Sequence, residues 1–234
     1  MPISRSPGAP PASASGWSAS RRGGAGGVER LGLFGGTFDP PHVGHLALAE
    51  WARERLRLDR VIFVPAGQPP HKRGRAISSA AARLAMTRLA IRGHPAFEVS
   101  TIEVHAGGPS FTVETLHRLA GMRPGAHLYL LIGADSLDEF RTWQGPEDIL
   151  ALATLAVAAR PGAGRAATRA WARRRRVMWL DNPGLEVSSS VVRARARAGR
   201  SVRYLVPDAV AHYIERYHLY RGPAADGPRR PEPR

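Results

Sequence analysis

Residues 31–46 read Leu-Gly-Leu-Phe-Gly-Gly-Thr-Phe-Asp-Pro-Pro-His-Val-Gly-His-Leu. The opening segment is apolar and typical of a β-strand. Two glycines then break it, and the residues from His42 onward lead into an Ala- and Leu-rich segment that favours a helix. At such a junction, backbone N–H groups and the positive end of the helix dipole can face an anion, and Gly35 and Gly36 allow close approach to the backbone. The stretch therefore predicts a strand–turn–helix unit with an anion site at its turn.

The turn matches neither of the two common phosphate-binding loops. A P-loop requires G-x-x-x-x-G-K-[ST], and residues 31–46 contain no Lys. A dinucleotide fingerprint requires G-x-G-x-x-G, and its absence argues against an NAD-dependent dehydrogenase. What remains is an H-x-G-H pattern, in which His42 and His45 are spaced i, i+3 and face the same side of the helix start. From these residues alone, a tight turn with two solvated histidines is an open alternative.

The composition limits the class of protein. The 234 residues are 43% hydrophobic and include no cysteine, so the chain can fold as one domain, while disulfides and thiolate metal sites are excluded. The sequence shows no apolar run near the ~20 residues of a membrane span and no signal-peptide apolar region at its start. We therefore expect a cytoplasmic protein with no membrane partner. We also expect no dedicated metal site, because no suitable cluster of acidic residues is visible.

The net charge of +15 at first suggests a nucleic-acid partner. Its distribution argues otherwise, because residues 160–176 contain seven arginines and no acid, and the two ends of the chain hold much of the remaining excess. Such peripheral charge is more often a solvated surface than a nucleic-acid site. We therefore expect no nucleic-acid partner. A basic nucleic-acid-binding protein is the less favoured alternative, which salt-dependent binding to random RNA would reveal.

Alternating strands and helices predict an α/β fold between two polar ends. Residues 1–27 and 222–234 are rich in Ser, Gly, Pro, Ala and Arg. They bury too little apolar surface to offset their ordering entropy, so they are predicted to be disordered. Residues 28–221 are expected to form a single domain with a doubly wound, Rossmann-like parallel sheet and right-handed crossovers. Ligands of such sheets bind beyond the carboxyl ends of the strands, where the first strand meets Gly35.

Apolar runs and chain breakers set the expected boundaries of the elements. Strands are predicted at residues 30–34, 61–64, 97–101, 128–132, 152–158 and 177–180. Helices are predicted at residues 43–56, 80–91, 111–119, 136–140, 146–150, 166–176, 189–198 and 208–218. Ser78 or Ser79 is expected to cap the second helix, and Ser110 the third.

Several polar or aromatic side chains follow strands at the same edge of the predicted sheet. Lys72, in the loop after the second strand, carries a point charge that suits a polyphosphate. Thr112 lies near a predicted helix start, where its hydroxyl and N–H can meet a carboxylate. Asp135 either caps the next helix or accepts ribose hydroxyls, and Trp143 is either core or a stacking surface. Arg160 follows the fifth strand, where a plain surface loop is the simpler interpretation.

The run Val-Ser-Ser-Ser-Val-Val-Arg at residues 187–193 is the second strong element. Ser188 and Ser189 stand at a predicted helix start, where hydroxyls and backbone N–H groups can donate to phosphate oxygens. Arg193, one turn further along, adds a planar fork of donors. A simple N-cap is the alternative, and it would be preferred if the first motif were absent.

Together these motifs resemble one family. The string G-G-T-F-D-P-x-H-x-G-H-L is similar to that of the bacterial nicotinate-nucleotide adenylyltransferases, members of the H-x-G-H nucleotidyltransferase superfamily. The run at 187–193 is similar to the family's I-S-S-T-x-I-R. Weaker matches lie between these two motifs in the family's order, namely P-x-x-x-x-P-H-[KR] at 65–72, P-S-Y-T-x-[DE]-T at 109–115 and G-x-D-S at 133–136. The resemblance covers about residues 30 to 221. Phe111 departs from the family's usual Tyr, so no hydroxyl is available at that position.

The resemblance implies transfer of AMP from ATP to nicotinate mononucleotide, with release of pyrophosphate, as a step of NAD biosynthesis. ATP and nicotinate mononucleotide are the expected partners, and Mg²⁺ is the expected cofactor, carried with ATP. Another acceptor, such as nicotinamide mononucleotide or phosphopantetheine, or a cytidylyl reaction, is the nearest alternative. The assigned residues are catalytic His42, His45, Lys72 and Arg193; ATP- or phosphate-binding Gly35, Gly36, Thr37, Phe38, Ser188, Ser189 and Arg160; and nicotinate mononucleotide-binding Thr112, Asp135 and Trp143. The indole of Trp143 is expected to stack on the pyridine ring.

Overall fold

A parallel β-sheet forms the centre of the fold. The computed structural model describes residues 27–69, 77–158, 171–172, 175, 177–181 and 184–221. Within these ranges the sheet has six strands, which are β1 (Arg30–Gly36), β2 (Arg60–Pro65), β3 (Phe97–Val99), β4 (His127–Gly133), β5 (Ala153–Ala158) and β6 (Met178–Leu180). Neighbouring strands run parallel in the order β3-β2-β1-β4-β5-β6.

This strand order places a ligand edge at the middle of the sheet. The chain moves outward from β1 through β2 to β3, then returns to pair β4 with the other side of β1. The order therefore reverses between β1 and β4, which is the switch point where ligands of doubly wound sheets bind. The prediction of a doubly wound, Rossmann-like parallel sheet is confirmed.

Helices join and flank these strands. They are α1 (Val43–Arg55), α2 (Ala80–Ala90), α3 (Thr112–Met122), α4 (Ala134–Glu139), α5 (Pro146–Leu152), α6 (Ser189–Arg197) and α7 (Asp208–Arg216). A short 3₁₀ turn, Phe140–Thr142, lies between α4 and α5. Most boundaries agree closely with those predicted from the sequence.

The alternation of side chains along each strand builds two apolar layers. Leu31 and Leu33 of β1 belong to one layer, together with residues of α3, α4 and α5. Phe34 and Phe63 belong to the opposite layer, where Ala49 of α1 packs. Since successive side chains of a strand point to opposite faces, both faces of the sheet are covered, as the continuous apolar strands predict. A third cluster joins α2, α6 and α7 on the side of the closing helices.

The predicted cap of the third helix is wrong. α3 begins at Thr112 with Phe111 in the N-cap position, and the Phe111 side chain makes no cap hydrogen bond. The hydroxyl of Ser110 is used elsewhere, because it accepts a hydrogen bond from the backbone N–H of Gly67 at 2.9 Å. This bond ties the loop after β2 to the start of α3, so the serine joins two loops instead of capping a helix.

The predicted cap of α2 is confirmed at one of the two serines. Ser79 accepts a hydrogen bond from the backbone N–H of Ala82 at 3.2 Å. Most of the predicted basic helix at 166–176 lies outside the described residues. The predicted disordered ends also lie outside them, except for residue 27, so the division of the chain into residues 1–27, 28–221 and 222–234 stays a prediction.

Candidate active site

A cleft of about 470 Å³ opens at the carboxyl ends of β1 and β4. The glycine turn after β1 forms one wall, and the residues that follow β4 form another. The predicted site residues that line the cleft are Gly35, Gly36, Thr37, His42, His45, Thr112, Asp135, Trp143 and Ser188. The fold thus brings together motifs from both halves of the chain at the switch point of the sheet.

The two histidines stand at the start of α1 in a fixed arrangement. His42 occupies the N-cap position, and its backbone N–H donates to Nδ1 of His45 at 3.1 Å. The two imidazole rings are stacked with their centroids 3.6 Å apart. Because Nδ1 of His45 accepts this bond, the proton of the neutral ring resides on Nε2, which makes Nε2–H a donor. Packing and capping therefore set both the orientation and the tautomer of His45.

The glycines of the first motif have distinct physical roles. A β-carbon at Gly44 would lie 3.1 Å from Nδ1 of His42, so the buried imidazole leaves little room for a side chain there. A β-carbon at Gly35 would meet no protein atom within 4 Å, although Gly35 lines the cleft. A side chain at Gly35 would therefore extend into open space at the cleft, whereas Gly44 makes room for the His42 ring within the protein.

Phe38 lies beneath the cleft and not in its wall. Only 2% of its surface is exposed, and its ring makes edge contacts with Phe34 at 5.5 Å and with His45 at 5.1 Å between centroids. A β-carbon at Gly36 would lie 3.0 Å from the Phe38 ring, so this glycine accommodates the aromatic packing. The Phe38 side chain thus supports the floor of the site, and any contact with ATP would come from its backbone.

The second motif meets the first through the start of α6. Ser188 caps α6 by accepting from the backbone N–H of Val191 at 3.3 Å, and it is exposed at the cleft. The hydroxyl of Ser189 instead donates to the backbone oxygen of Pro40 at 2.8 Å. Of this predicted group, Ser188 lines the cleft, whereas Ser189 binds the backbone of the first motif.

The three residues predicted for the acceptor all line the cleft. Thr112 is the first residue of α3. Asp135 is exposed in the first turn of α4, whose N-cap is Gly133, so Asp135 is not the N-cap of that helix. Trp143 is half-buried and packs against Phe140 with ring centroids 5.4 Å apart. Trp143 is therefore both a partner of the core and part of the cleft wall.

Glu103 also lines the cleft, and sequence reasoning missed it. Burial raises the pKa of Glu103, and hydrogen bonds from the Thr115 and Ser110 side chains and the charge of Arg83 partly oppose this shift. The Thr115 hydroxyl donates to Glu103 Oε1 at 2.7 Å. A single acidic residue in an irregular loop has no pattern that would have identified it.

Lys72 and Arg160 lie outside the described residues. Among the residues that the structure does describe, no group of three or more His, Cys, Asp or Glu side chains is arranged to hold a metal ion. In the same residues, none of the helices has the length and apolar content needed to cross a membrane.

Comparisons with known proteins agree with this geometry. A glycine turn and paired histidines at the switch point of a doubly wound sheet define a nucleotide-binding α/β protein. The family model described as cytidylyltransferase-like matches residues 33–195, a range that contains both strong motifs. The chain belongs to this family and, within it, to the nicotinate-nucleotide adenylyltransferases, as its relatives show.

Two of these relatives match over nearly their whole length. A probable nicotinate-nucleotide adenylyltransferase of Thermomicrobium roseum is 46% identical over 198 residues, which cover 83% of this chain and 92% of the relative. A protein of the same description from Salinibacter ruber is 44% identical over 191 residues, which cover 82% of this chain and 97% of the relative. The recognition made from the sequence motifs is therefore confirmed.

Solved structures share the fold. Nicotinic acid mononucleotide adenylyltransferase of Plasmodium falciparum, in complexes with APC and with NaAD, superposes with a TM-score of 0.68 at 16% identity. The match covers 82% of this chain and 97% of the Plasmodium chain. At this level of identity, the likeness establishes the shared architecture.

Proposed function

We propose that this enzyme transfers the adenylyl group of ATP to nicotinate mononucleotide, forming nicotinate adenine dinucleotide and pyrophosphate in NAD biosynthesis. One observation carries the proposal: a single cleft at the switch point is lined by the glycine turn, by His42 and His45, and by Thr112, Asp135 and Trp143. Donors for a polyphosphate and groups for an aromatic acceptor thus face one space. The relatives named above support the same reaction.

The reaction requires the protein to position the substrates and to stabilise charge, and it requires no nucleophile from the protein. A phosphate oxygen of nicotinate mononucleotide forms a bond to the α-phosphorus of ATP, and the bond from that phosphorus to pyrophosphate breaks. Because the acceptor is already an anionic nucleophile, catalysis consists of aligning the two phosphates and stabilising the charge that develops on the transferred and leaving groups.

Two helix starts supply positive potential at the cleft. The N-terminus of α1 follows the glycine turn, and the N-terminus of α6 begins at Ser189 and is capped by Ser188. Each helix start carries a partial positive charge and backbone donors that suit phosphate oxygens. The Nε2–H of His45 adds a side-chain donor, and we assign His42 and His45 to the phosphates of ATP.

The acceptor is assigned to the part of the cleft that Thr112, Asp135 and Trp143 line. We propose that the indole of Trp143 stacks on the pyridine ring, where an aromatic pair contributes ~0.5–1.5 kcal/mol beyond area burial. Thr112, at the start of α3, offers its hydroxyl and the helix N-terminus to the nicotinate carboxylate. Asp135 is exposed at the cleft and can accept hydrogen bonds from ribose hydroxyls.

The remaining assignments stay proposals from the sequence. Lys72 is proposed to contact the polyphosphate, and Arg160 to contribute to the ATP site. Mg²⁺ is proposed to enter as part of the ATP substrate and to keep several water ligands. A cytoplasmic location stays a prediction of the same kind.

The proposed function is tested by measuring pyrophosphate release from ATP with different acceptors. We expect kcat/KM with nicotinate mononucleotide to exceed that with nicotinamide mononucleotide by ~10-fold or more, which corresponds to about 1.4 kcal/mol. Phosphopantetheine as acceptor, and CTP in place of ATP, serve as further arms. A higher kcat/KM in any of these arms than with ATP and nicotinate mononucleotide would contradict the proposal.

A further inference from the structure

Arg83 is a buried cation that does not line the cleft. It lies on α2 with only 1% of its surface exposed. Its guanidinium donates three hydrogen bonds of 3.0 Å, each to a backbone oxygen: Nε to Ser78, Nη1 to Thr37 and Nη2 to Gly67. A buried cation is costly unless it is hydrogen-bonded, and each nitrogen of this guanidinium donates to one of the three carbonyls.

The charge of Arg83 is retained despite its burial. Burial lowers the pKa of Arg83, while Asp39, Tyr220 and Glu103 raise it. An arginine side chain starts from so high a pKa that it stays protonated in proteins. A permanent charge therefore lies under the floor of the cleft, fixed to main-chain oxygens.

Two of the three oxygens belong to segments that line the cleft. Thr37 lines it, and Gly67 lies between Ala66 and Pro69, which also line it. In a trans peptide unit the C=O and N–H groups point in opposite directions, so a carbonyl held by Arg83 directs the N–H of its unit away from Arg83. Arg83 thus fixes the loops after β1 and β2 relative to each other and orients their peptide units.

Tyr220 holds the same loop from another side. Its hydroxyl donates to Oδ1 of Asp39 at 2.7 Å, while the backbone N–H of Ser78 donates to Oδ2 at 3.2 Å. Burial raises the pKa of Tyr220, and the charge of Asp39 adds to the shift, so the hydroxyl remains a donor. Asp39 itself is only 1% exposed. Losing either hydrogen bond would take a donor from a buried carboxylate oxygen, which is costly.

We propose that Arg83 and Tyr220 are positioning residues for adenylyl transfer, which hold residues 37–39 so that the glycine turn receives ATP in a productive geometry. The inference rests on the proposed function. Neither side chain lines the cleft, so Arg83 acts through Thr37 and Tyr220 acts through Asp39. Alignment matters because a displacement of ~1 Å at a reacting group costs ~10²-fold in rate.

The test uses the full chain and two conservative variants. Tyr220→Phe removes one hydroxyl and keeps the ring. Arg83→Lys keeps the charge, but an ammonium cannot reproduce a planar fork that donates in three directions. Tyr217→Phe and Arg88→Lys are the matched controls, since both residues are exposed and lie near the end of α7 and on α2, respectively.

Two measurements are made at a temperature well below melting: kcat and KM for dinucleotide formation, and hydrogen–deuterium exchange in peptides that cover residues 35–42. The melting temperature of each variant is determined separately. We expect both variants to lower kcat by ~10-fold or more, with both KM values within about threefold of the original. Exchange at residues 35–42 should become faster in both variants. The two controls should match the unmodified protein in every measurement.

A purely structural role predicts a different result. In that case the melting temperature falls, while kcat per folded molecule and exchange at residues 35–42 match the controls, and the proposal is overturned. If Arg83→Lys does not fold, Tyr220→Phe decides, because a single hydroxyl is removed without a cavity.

Hydrogen–deuterium exchange does not require the enzyme to be active. It therefore tests the role of Arg83 and Tyr220 separately from the proposed function. An unmodified protein that releases no pyrophosphate with any acceptor would contradict the proposed function. Faster exchange at residues 35–42 in the variants would still show that Arg83 and Tyr220 hold this loop, and unchanged exchange would overturn that inference.

Discussion

The guanidinium of Arg193 donates from Nη1 to the backbone oxygen of Asp39 at 2.8 Å, across 154 positions of sequence. Its Nη2 donates to the hydroxyl of Ser190 at 3.1 Å. Sequence patterning assigns Arg193 to phosphate, whereas in the structure its fork joins the second motif to the first. Arg193 therefore fixes α6 to the turn that follows β1.

We predict that Arg193→Lys lowers both stability and rate. A lysine keeps the charge but cannot donate to Asp39 and Ser190 with the same planar fork. Losing a hydrogen bond from a charged group costs about 1.5–3 kcal/mol, which for a chain of this size lowers the melting temperature by roughly 3–12 °C. Thermal melting and kcat should both respond, with Arg197→Lys as the control because Arg197 is exposed at the end of the same helix. Equal behaviour of the two variants would remove this role from Arg193.

His45→Ala should lower kcat by ~10²-fold or more, the size expected when a charge-stabilising donor is lost. His45→Asn distinguishes the roles of the two ring nitrogens. The Asn side-chain oxygen can replace Nδ1 as the acceptor for the His42 N–H, but no atom of Asn replaces the Nε2–H donor. We therefore expect the Asn variant to lose rate while melting closer to the unmodified protein than the Ala variant. A near-normal kcat with only KM raised would show that His45 does not act in the chemical step.

Trp143→Ala is expected to affect the acceptor more than ATP. The indole lines the cleft and also packs on Phe140, so truncation should lower the melting temperature and raise KM for nicotinate mononucleotide by roughly tenfold or more. KM for ATP should change little. Trp51→Ala is a suitable control, because Trp51 is 41% exposed and does not line the cleft. Equal changes in both KM values, together with a lower melting temperature, would assign Trp143 to the core alone.

The carboxyl of Glu103 predicts a pH dependence of stability. Burial raises its pKa above the usual 4.5, so the folded chain binds more protons than the unfolded chain between these two values. The free energy of unfolding therefore falls as the pH rises from 4.5 through the raised pKa, and the stabilising contribution is complete only below 4.5.

Glu103→Gln stays neutral and should remove this dependence. We expect the melting temperature of the variant, relative to the unmodified protein, to increase with pH across that window and then to level off. Melting curves from about pH 4 to 7 measure the difference, and Glu215→Gln on the exposed side of α7 is the control. Parallel curves for Glu103→Gln and the unmodified protein would show that this carboxyl titrates normally.

Much of the architecture could be predicted because it follows from periodic patterns. Continuous apolar strands and alternating helices indicated a doubly wound sheet, and the position of Gly35 at the end of the first strand indicated the ligand edge. Thr112, Asp135 and Trp143 each follow a different element, yet they line one cleft. The rule that ligands bind beyond the carboxyl ends of parallel strands indicated this common edge.

The supporting network could not be predicted, because its bonds are long-range and mostly involve backbone groups. Arg83 looks like one residue of an amphipathic helix, but its side chain is buried against three carbonyls. Tyr220 lies 181 positions from Asp39. Ser110 has the composition and position of an N-cap, and only the proximity of the Gly67 N–H diverts its hydroxyl. Such partners depend on how loops meet in space, which no local pattern encodes.

The contacts at Asp39 and Pro40 join residues that are synthesised early to residues that are synthesised late. A ribosome releases these residues early, whereas Ser189, Arg193 and Tyr220 emerge only after the last strand of the sheet. A nascent chain therefore holds its histidines and glycine turn without the groups that secure them. A chain that ends before residue 220 lacks the hydrogen bond from Tyr220 to Asp39, so we expect it to form dinucleotide more slowly than the full chain.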